Sequence, residues 1–411
     1  MDTKLIESAL TTAIKAGVLR DRSFVGSASD FDTVRGRGDA PWEPRVFELL
    51  LAALESDPDV RSLNSTYAML PQAGRTPLDV RSIAKTLLTR AVLTGDVAET
   101  VSSFRSCIEG KPFPALVVMA VSGVSVTDEV HLGPHIMLMP LTSLPPSFQR
   151  GQALSADPDG LFGLSALVSR TDYKPFFYRP NEGGAPNSGM QDRVRAEIDA
   201  LDEARCLLSL LGNRAIAFRS WVQPSDPLMT IACGLGAGLH DDRFFEARAR
   251  PIDVVAVQEL GAQYFSIAAS QRRKTLRVPL QRLDRAGTRN LTDTSIDLGI
   301  ALEALLLHDN QPDRGELTYR LSTRGAWLVG SDERERAEIR DQLRKVYRLR
   351  SIAVHSGVVE ENAENKRTIE RGLELCRRLI CKVIDAKGSV DWEVLVMGGG
   401  LLPPQSGADP T

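Results

Sequence analysis

Hydrophobic periodicity changes character twice along this chain, and that restricts the folds open to it. Near the N-terminus apolar residues recur at helical spacing, in Leu5 to Ala16, Glu43 to Leu54, Asp79 to Leu93 and Val97 to Ile108. Asp79 stands where a helix N-cap is expected. At Pro112-Phe113-Pro114 the pattern breaks into short apolar runs. Ala115 to Val121 and Ile136 to Leu141 are bounded by Gly123 and Gly133-Pro134, and their length suits strands rather than helices. Leu161 to Val168, Ala215 to Val222, Ile252 to Val257 and Tyr264 to Ala268 read the same way. One helix interrupts them, with Val194, Ile198, Leu201, Leu208 and Leu211 along it and Gly212 as its stop.

From about Thr275 the helical period returns. Ser295 to Leu307, Glu316 to Val329 and Asp332 to about Ala353 form three helices, and Ile369, Leu373, Cys376, Ile380 and Val383 mark a fourth. The expected fold is therefore an α+β multidomain chain. It comprises a helical N-terminal region (1–110), a mixed β-rich domain with a sensing or regulatory part (111–275), a helical bundle (276–390) and a flexible Gly/Pro-rich tail (391–411). A length of 411 residues suits two or three such units.

No apolar run approaches the length of a membrane helix, and the N-terminus carries no export signal, so a cytoplasmic protein with no membrane partner is expected. Five scattered cysteines point to reduced, mostly buried thiols rather than a disulfide framework. A net charge of -3 excludes a uniformly basic polymer binder and leaves room only for a local cationic patch.

Several short motifs fail on geometry. Gly234 to Gly238 lacks the last glycine of a dinucleotide fingerprint. Gly26-Ser27 stands too close to Asp30 and Asp32 for a nucleotidyltransferase site. His131 and His135 are four apart, but Gly133-Pro134 between them prevents a shared helical face, so they read as strand-end residues. Neither a metal site nor a cofactor is expected.

The bundle holds a better candidate, Tyr347-Arg-Leu-Arg350-Ser-Ile-Ala-Val-His355-Ser-Gly357. RNA carries its own nucleophile, the 2′-hydroxyl beside the scissile phosphate. A histidine moves a proton near neutral pH, a contribution of about 10² to 10⁴ in rate, and a guanidinium holds phosphate oxygens bidentately. One histidine does not easily serve as both base and acid in one turnover, which is a reason to expect a dimer. On a straight helix Arg350 and His355 lie about 140° apart, so they converge only if the helix ends or distorts between them.

These residues resemble a known family. Asp297 to Leu306, Leu321 to Ala326 and Tyr347 to Gly357 together look like a HEPN domain, and are similar to the ApeA-like branch of prokaryotic antiphage proteins, over roughly 276–387. The resemblance implies an all-α bundle and a dimer-composite, metal-independent endoribonuclease leaving a 2′,3′-cyclic phosphate and a 5′-hydroxyl. By it Arg350 and His355 are the catalytic pair, Glu303 the acidic residue of the first helix, and Arg320 or Arg324 the basic residue of the second. Ser351 stands where active members often carry Asn, Asp or His, and Ser356 separates His355 from the glycine that often follows directly. The implied role is an RNase effector or toxin of antiviral defence by abortive infection. It would act on tRNA or other host RNA as a homodimer or higher oligomer, with residues 1–275 answering a phage-derived or small-molecule trigger.

Bland readings stand beside these. His355 also suits a helix C-terminus as a cation. Glu303 also suits a structural pair with Arg320 or Arg324. Tyr347 suits base stacking or core packing. Arg340, Arg344 and Arg348 fall at four-residue steps and, with Lys345, form a stripe suited to a solvated face or to RNA phosphates. Gln271-Arg-Arg-Lys274 with Arg277 is a second basic run. The alternative function is a HEPN-like module that binds RNA or a nucleotide, or dimerises, without cutting.

Overall fold

The computed structural model describes residues 3–15, 44–64, 66–69, 75–157, 160, 163–179, 188–226, 238–239, 249–287, 289–308 and 317–400. The chain is mixed α+β and divides into two units. One comprises Met1–Glu129, His135–Leu201 and Ile216–Pro251; the other comprises Val130–Pro134, Asp202–Ala215 and Ile252–Thr411.

In the first unit, α1 (Thr3–Lys15), α2 (Pro44–Ser56), α3 (Val80–Thr94) and α4 (Val97–Ile108) share a core of Ile6, Leu10, Leu50, Leu54, Ile83, Leu87 and Phe104. Asp79 and Asp96 cap α3 and α4, each accepting a backbone N–H one turn ahead at 2.8 Å. A small sheet accompanies the helices, with Tyr67–Met69 between Arg75–Pro77 and Phe177–Tyr178.

The larger sheet is antiparallel. Its central strand, β1 (Phe113–Ser122), pairs with β3 (Ser165–Tyr173) and with β4 (Ile216–Pro224); β2 (Ile136–Pro140) pairs with β3, and β5 (Gly238–Leu239) with β4. From Ala115 to Ser122 every residue of β1 is buried, so both its faces are covered. That is why it reads as an unbroken apolar run rather than an alternation. The short helix α5 (Phe148–Leu154) contributes Ala153 to the cluster of Val118, Met139 and Trp221 on one face. From the long helix α6 (Ser188–Leu208), Glu197 accepts the Ser169 hydroxyl at 2.6 Å. The fully buried Trp221 donates its indole N–H to Gln223 at 2.7 Å, so its one polar atom is satisfied.

The second unit is helical: α7 (Val254–Phe265), α8 (Ala269–Thr275), α9 (Arg277–Ala286), α10 (Leu291–Leu306), α11 (Leu317–Val329), α12 (Glu333–Ser356), α13 (Ala363–Asp385) and α14 (Trp392–Val396). The apolar helix α10 lies at its centre. Leu298, Leu302, Leu305 and Leu306 are fully buried with Leu321, Leu343, Val346, Leu379 and Ile380 from its neighbours. Each such leucine contributes about 1.5–3 kcal/mol relative to exposure.

Three expectations are corrected. The expected strands Ile252–Val257 and Tyr264–Ala268 are instead one helix, α7. Asp253 caps it through the Ala256 N–H, and Val257, Leu260, Gly261 and Tyr264 are buried, at helical spacing. Helical structure therefore begins at Val254 rather than near Thr275. Within the basic run Gln271–Lys274, Arg272 is buried, pairs with Glu203 at 3.2 Å and lies over the rings of Tyr264 and Phe265. The tail expected from residue 391 starts with α14, whose Trp392 and Leu395 are buried in the bundle core. The loop at 25–39, the Gly26-Ser27 motif, positions 234–237 and residues 401–411 lie outside the described residues. His131 ends a short strand and His135 directly precedes β2.

The described cysteines Cys107, Cys206, Cys376 and Cys381 are free thiols, and burial pushes Cys107 and Cys376 up to about 12 and Cys381 to about 11. Among the described residues no helix is long and apolar enough to cross a membrane.

The start of α12 is fixed reciprocally. Asp332 accepts the Glu335 N–H at 2.8 Å, while Glu335 accepts the Ser331 N–H at 2.8 Å and the Arg378 guanidinium of α13 at 2.9 Å. The Ser331 N–H, then Arg378 and the Ser331 hydroxyl, lower the Glu335 carboxyl to about 2. A carboxylate lowered by folding adds stability above its unfolded value near 4.5 and loses it as pH falls towards 2. Glu335→Gln is therefore expected to lower the urea midpoint at pH 7. The difference from the parent should narrow steadily between about pH 4.5 and pH 2. A pH-independent difference would assign the effect to something other than this carboxylate.

Candidate active site

The long helix α12 carries the candidate residues, and its register decides where each points. Ile339, Leu343, Val346, Leu349 and Ala353 are buried and face the bundle core. Arg340, Arg344 and Arg348 are exposed at four-residue steps on the opposite side, and Lys345 is exposed beside them. None of these four cations makes an ion pair with another described residue. His355, seven residues past Arg348, returns to the same face within about 20° and is itself exposed. Ser351, seven residues past Arg344, lies on that face within about 20° of it and is half-buried.

Arg350 points elsewhere. Its guanidinium meets Glu303 of α10, with Nη2 at 3.3 Å from Oε1 and 3.4 Å from Oε2. It also lies 5.5 Å over the Tyr347 ring. The side chains of Arg350 and Glu303 keep about a quarter of their surface exposed (26% and 28%), so the pair sits at a solvent boundary. Burial first, then the neighbouring Glu303 carboxylate, raises the Tyr347 ionisation above the usual tyrosine value. Glu303 thus receives the Arg350 guanidinium and lies beside the Tyr347 phenol, both from one turn of α12.

A glycine makes this approach possible. A Cβ on Gly299 of α10 would lie 2.4 Å from Cγ and 3.0 Å from Cβ of Arg350, closer than carbon atoms pack. Gly299 stands one turn before Glu303, so the Arg350 stem crosses α10 at the notch and its head reaches the carboxylate. Glycine inside a helix costs about 1 kcal/mol relative to alanine. That cost was a signal in the sequence, and its reason is this crossing.

The end of α12 is also fixed. Gly357 adopts φ 76° and donates its N–H to Ala353 at 3.0 Å. The Ser356 hydroxyl donates to Ile352 O at 2.6 Å, and the Val359 N–H donates to the Thr292 hydroxyl of α10 at 2.9 Å. His355 therefore projects from a capped final turn, flanked by the exposed Val354 and Val358.

The helix neither ends nor distorts between Arg350 and His355; it runs on to Ser356. Within one chain the two side chains therefore stay about 140° apart, one on the α10 side and one outward with the arginine stripe. The expected arginine partners of Glu303 are corrected as well. Arg324 is buried, donates to Leu306 O at 2.7 Å at the C-terminus of α10 and lies 5.2 Å from the Trp392 ring centre. Arg350 pairs with Glu303 instead. Arg320 is half-buried one turn before Arg324 and is an engaged side chain.

Among the described residues no group of three or more His, Cys, Asp or Glu side chains is placed to hold a metal ion. No family model, curated protein or solved structure matches the chain.

Gly299→Ala is expected to push Arg350 off Glu303 and to cost about 1–3 kcal/mol of stability, as overpacking does. In an Arg350→Ala background the same change should cost less, because Cγ and Cδ are gone and only the 3.0 Å contact with Cβ remains. A double-mutant cycle in urea measures this. Equal costs in both backgrounds would show that Gly299 does not act through Arg350.

Proposed function

We propose that the C-terminal bundle is a HEPN-like, metal-independent endoribonuclease, and that the chain serves as an RNase effector or toxin of prokaryotic antiviral defence. The observation that carries this reading is the single exposed face of α12, on which Arg340, Arg344 and Arg348 lead to His355. Such a face suits RNA: arginines neutralise successive phosphates and the imidazole stands at the end of the track.

The chemistry needs only this chain's groups and the substrate's. The 2′-oxygen attacks phosphorus as its proton passes to a histidine. The new P–O2′ bond replaces the P–O5′ bond, leaving a 2′,3′-cyclic phosphate, and the departing 5′-oxygen takes a proton from a second acid. Arg350 would stabilise the charge on the non-bridging oxygens, with Glu303 and Tyr347 orienting it. Because Arg350 and His355 diverge within one chain, the reading requires two copies, with arginine and histidine meeting across a homodimer. Tyr347 would then border the substrate, and Ser351 would lie between the arginine and the histidine. The helical and sheet-bearing residues before the bundle would take the sensing part, and tRNA or other host RNA would be the target.

Purified protein incubated with RNA in EDTA tests the reading. Cleavage should persist, products should carry 5′-hydroxyl ends, and His355→Ala should lower the rate by at least about 10². Loss of cleavage on chelation, or full cleavage by His355→Ala, would overturn it.

One observation favours a second reading. The Arg350 guanidinium already has Glu303 and Tyr347 of its own chain, as a purely structural arginine would. On that reading the bundle binds RNA or a nucleotide, or dimerises, without cutting. RNA binding with no products from any RNA, with or without phage components, would support it.

A further inference from the structure

The charges along the exposed face of α12 are distributed unequally about His355. Arg340, Arg344 and Arg348 stand about 6 Å apart along the helix axis, and His355 follows about 10 Å beyond Arg348. The four-residue row itself goes on to Ile352, which is exposed and uncharged. Arg350 is turned to α10, so between Arg348 and His355 the face carries the Ser351 hydroxyl and no cation of α12. At its other end the row begins abruptly. Glu333 and Ala337, seven residues before Arg340 and Arg344, are exposed and lie within about 20° of them. Past His355 the capped turn leads within six residues to the exposed Glu360 and Glu361, of which Glu361 meets Lys366 at 3.1 Å. Asp341 is exposed beside the row, about 60° from Arg344, and Lys345 one turn further on offsets it. The face is therefore a cationic run of three steps with the histidine at one end, and acidic or uncharged residues follow at both ends.

We infer that the substrate is a single RNA strand held on one side of the cut bond only, with three consecutive phosphates on Arg348, Arg344 and Arg340 and the scissile phosphate at the end of that run. The inference rests on the ribonuclease reading and adds to it which part of the strand is bound. A repeat of about 6 Å is close to the separation of neighbouring phosphates along an RNA strand, so each four-residue step takes one phosphate. The next phosphate falls in the interval before His355, within reach of the Ser351 hydroxyl and the imidazole, where α12 supplies no cation. That is the position which the two-copy reading gives to the guanidinium of a second chain. Phosphate contacts fix position and carry no sequence information, so the flank is read without base preference. A second copy does not make the requirement two-sided. A two-fold axis presents the second track in the reverse direction, and an RNA strand is directional, so a strand that matches one track is mismatched to the other.

The test uses the full chain under conditions in which it cuts a long RNA, with DNA strands of about 12 nucleotides that each contain one ribonucleotide. Only that nucleotide carries a 2′-hydroxyl, so its position fixes the cut and the number of phosphates on each side. As the ribonucleotide is stepped from end to end, kcat/KM should rise with each phosphate added on one side, up to three past the scissile one, and then level off. Phosphates added on the other side should leave it nearly unchanged. The slope of log kcat/KM against log salt should steepen by about 0.7 for each of the three. Arg340→Gln should move the plateau from three phosphates to two, with circular dichroism showing the variant folded. Equal dependence on the two sides, no dependence on either, a plateau that stays at three in Arg340→Gln, or chimeric strands left uncut at every position would overturn the inference. The failures are distinguishable. No cleavage of any RNA, or full cleavage by His355→Ala, overturns the ribonuclease reading and this inference with it, whereas cleavage with a two-sided requirement overturns this inference alone.

Discussion

An α-helix turns about 100° per residue, and α12 runs without a break for 24 residues. That register organises much of the second unit. It turns Leu343 and Val346 into the core, lays Arg340, Arg344, Arg348 and His355 along the opposite face, and sends Arg350 sideways against α10. A π-bulge or an earlier cap would have rotated His355 towards Arg350. Instead Gly357 caps the helix only after His355 has been placed, and the Val359–Thr292 hydrogen bond fixes the exit of the chain.

This divergence shapes the functional proposal. A phosphoryl-transfer site needs its cation and its proton carrier within reach of one phosphate, and a single chain keeps them on different faces. A second copy offers a way to bring them together and also supplies a second histidine for the leaving oxygen. The Gly299 notch and the carboxylate of Glu303 hold the guanidinium at the solvent boundary rather than in the core. There it is preoriented yet about a quarter exposed.

Much of the architecture was legible because hydrophobic period and caps agree. Asp79 and the strands on either side of Gly133-Pro134 formed where the pattern placed them. The four principal bundle helices also matched, to within a few residues at most ends. Ile252–Ala268 misled because its apolar residues cluster into two short runs, and the cap at Asp253 decides for a helix over the β-branched valines. The candidate site was legible by residue type and not by direction. Sequence distance suggested Arg320 or Arg324 for Glu303, whereas the partner lies 47 residues away on α12. Gly299 was visible only as an oddity inside an apolar helix.

The most direct measurement mixes chains. Wild-type and His355→Ala proteins are co-expressed in varying ratio so that subunits exchange, and RNA cleavage per total protein is followed in EDTA. A site that draws a histidine from each of two chains predicts activity falling as the square of the wild-type fraction. Activity falling in direct proportion to that fraction would mean that each site uses one histidine, and would contradict the two-histidine site.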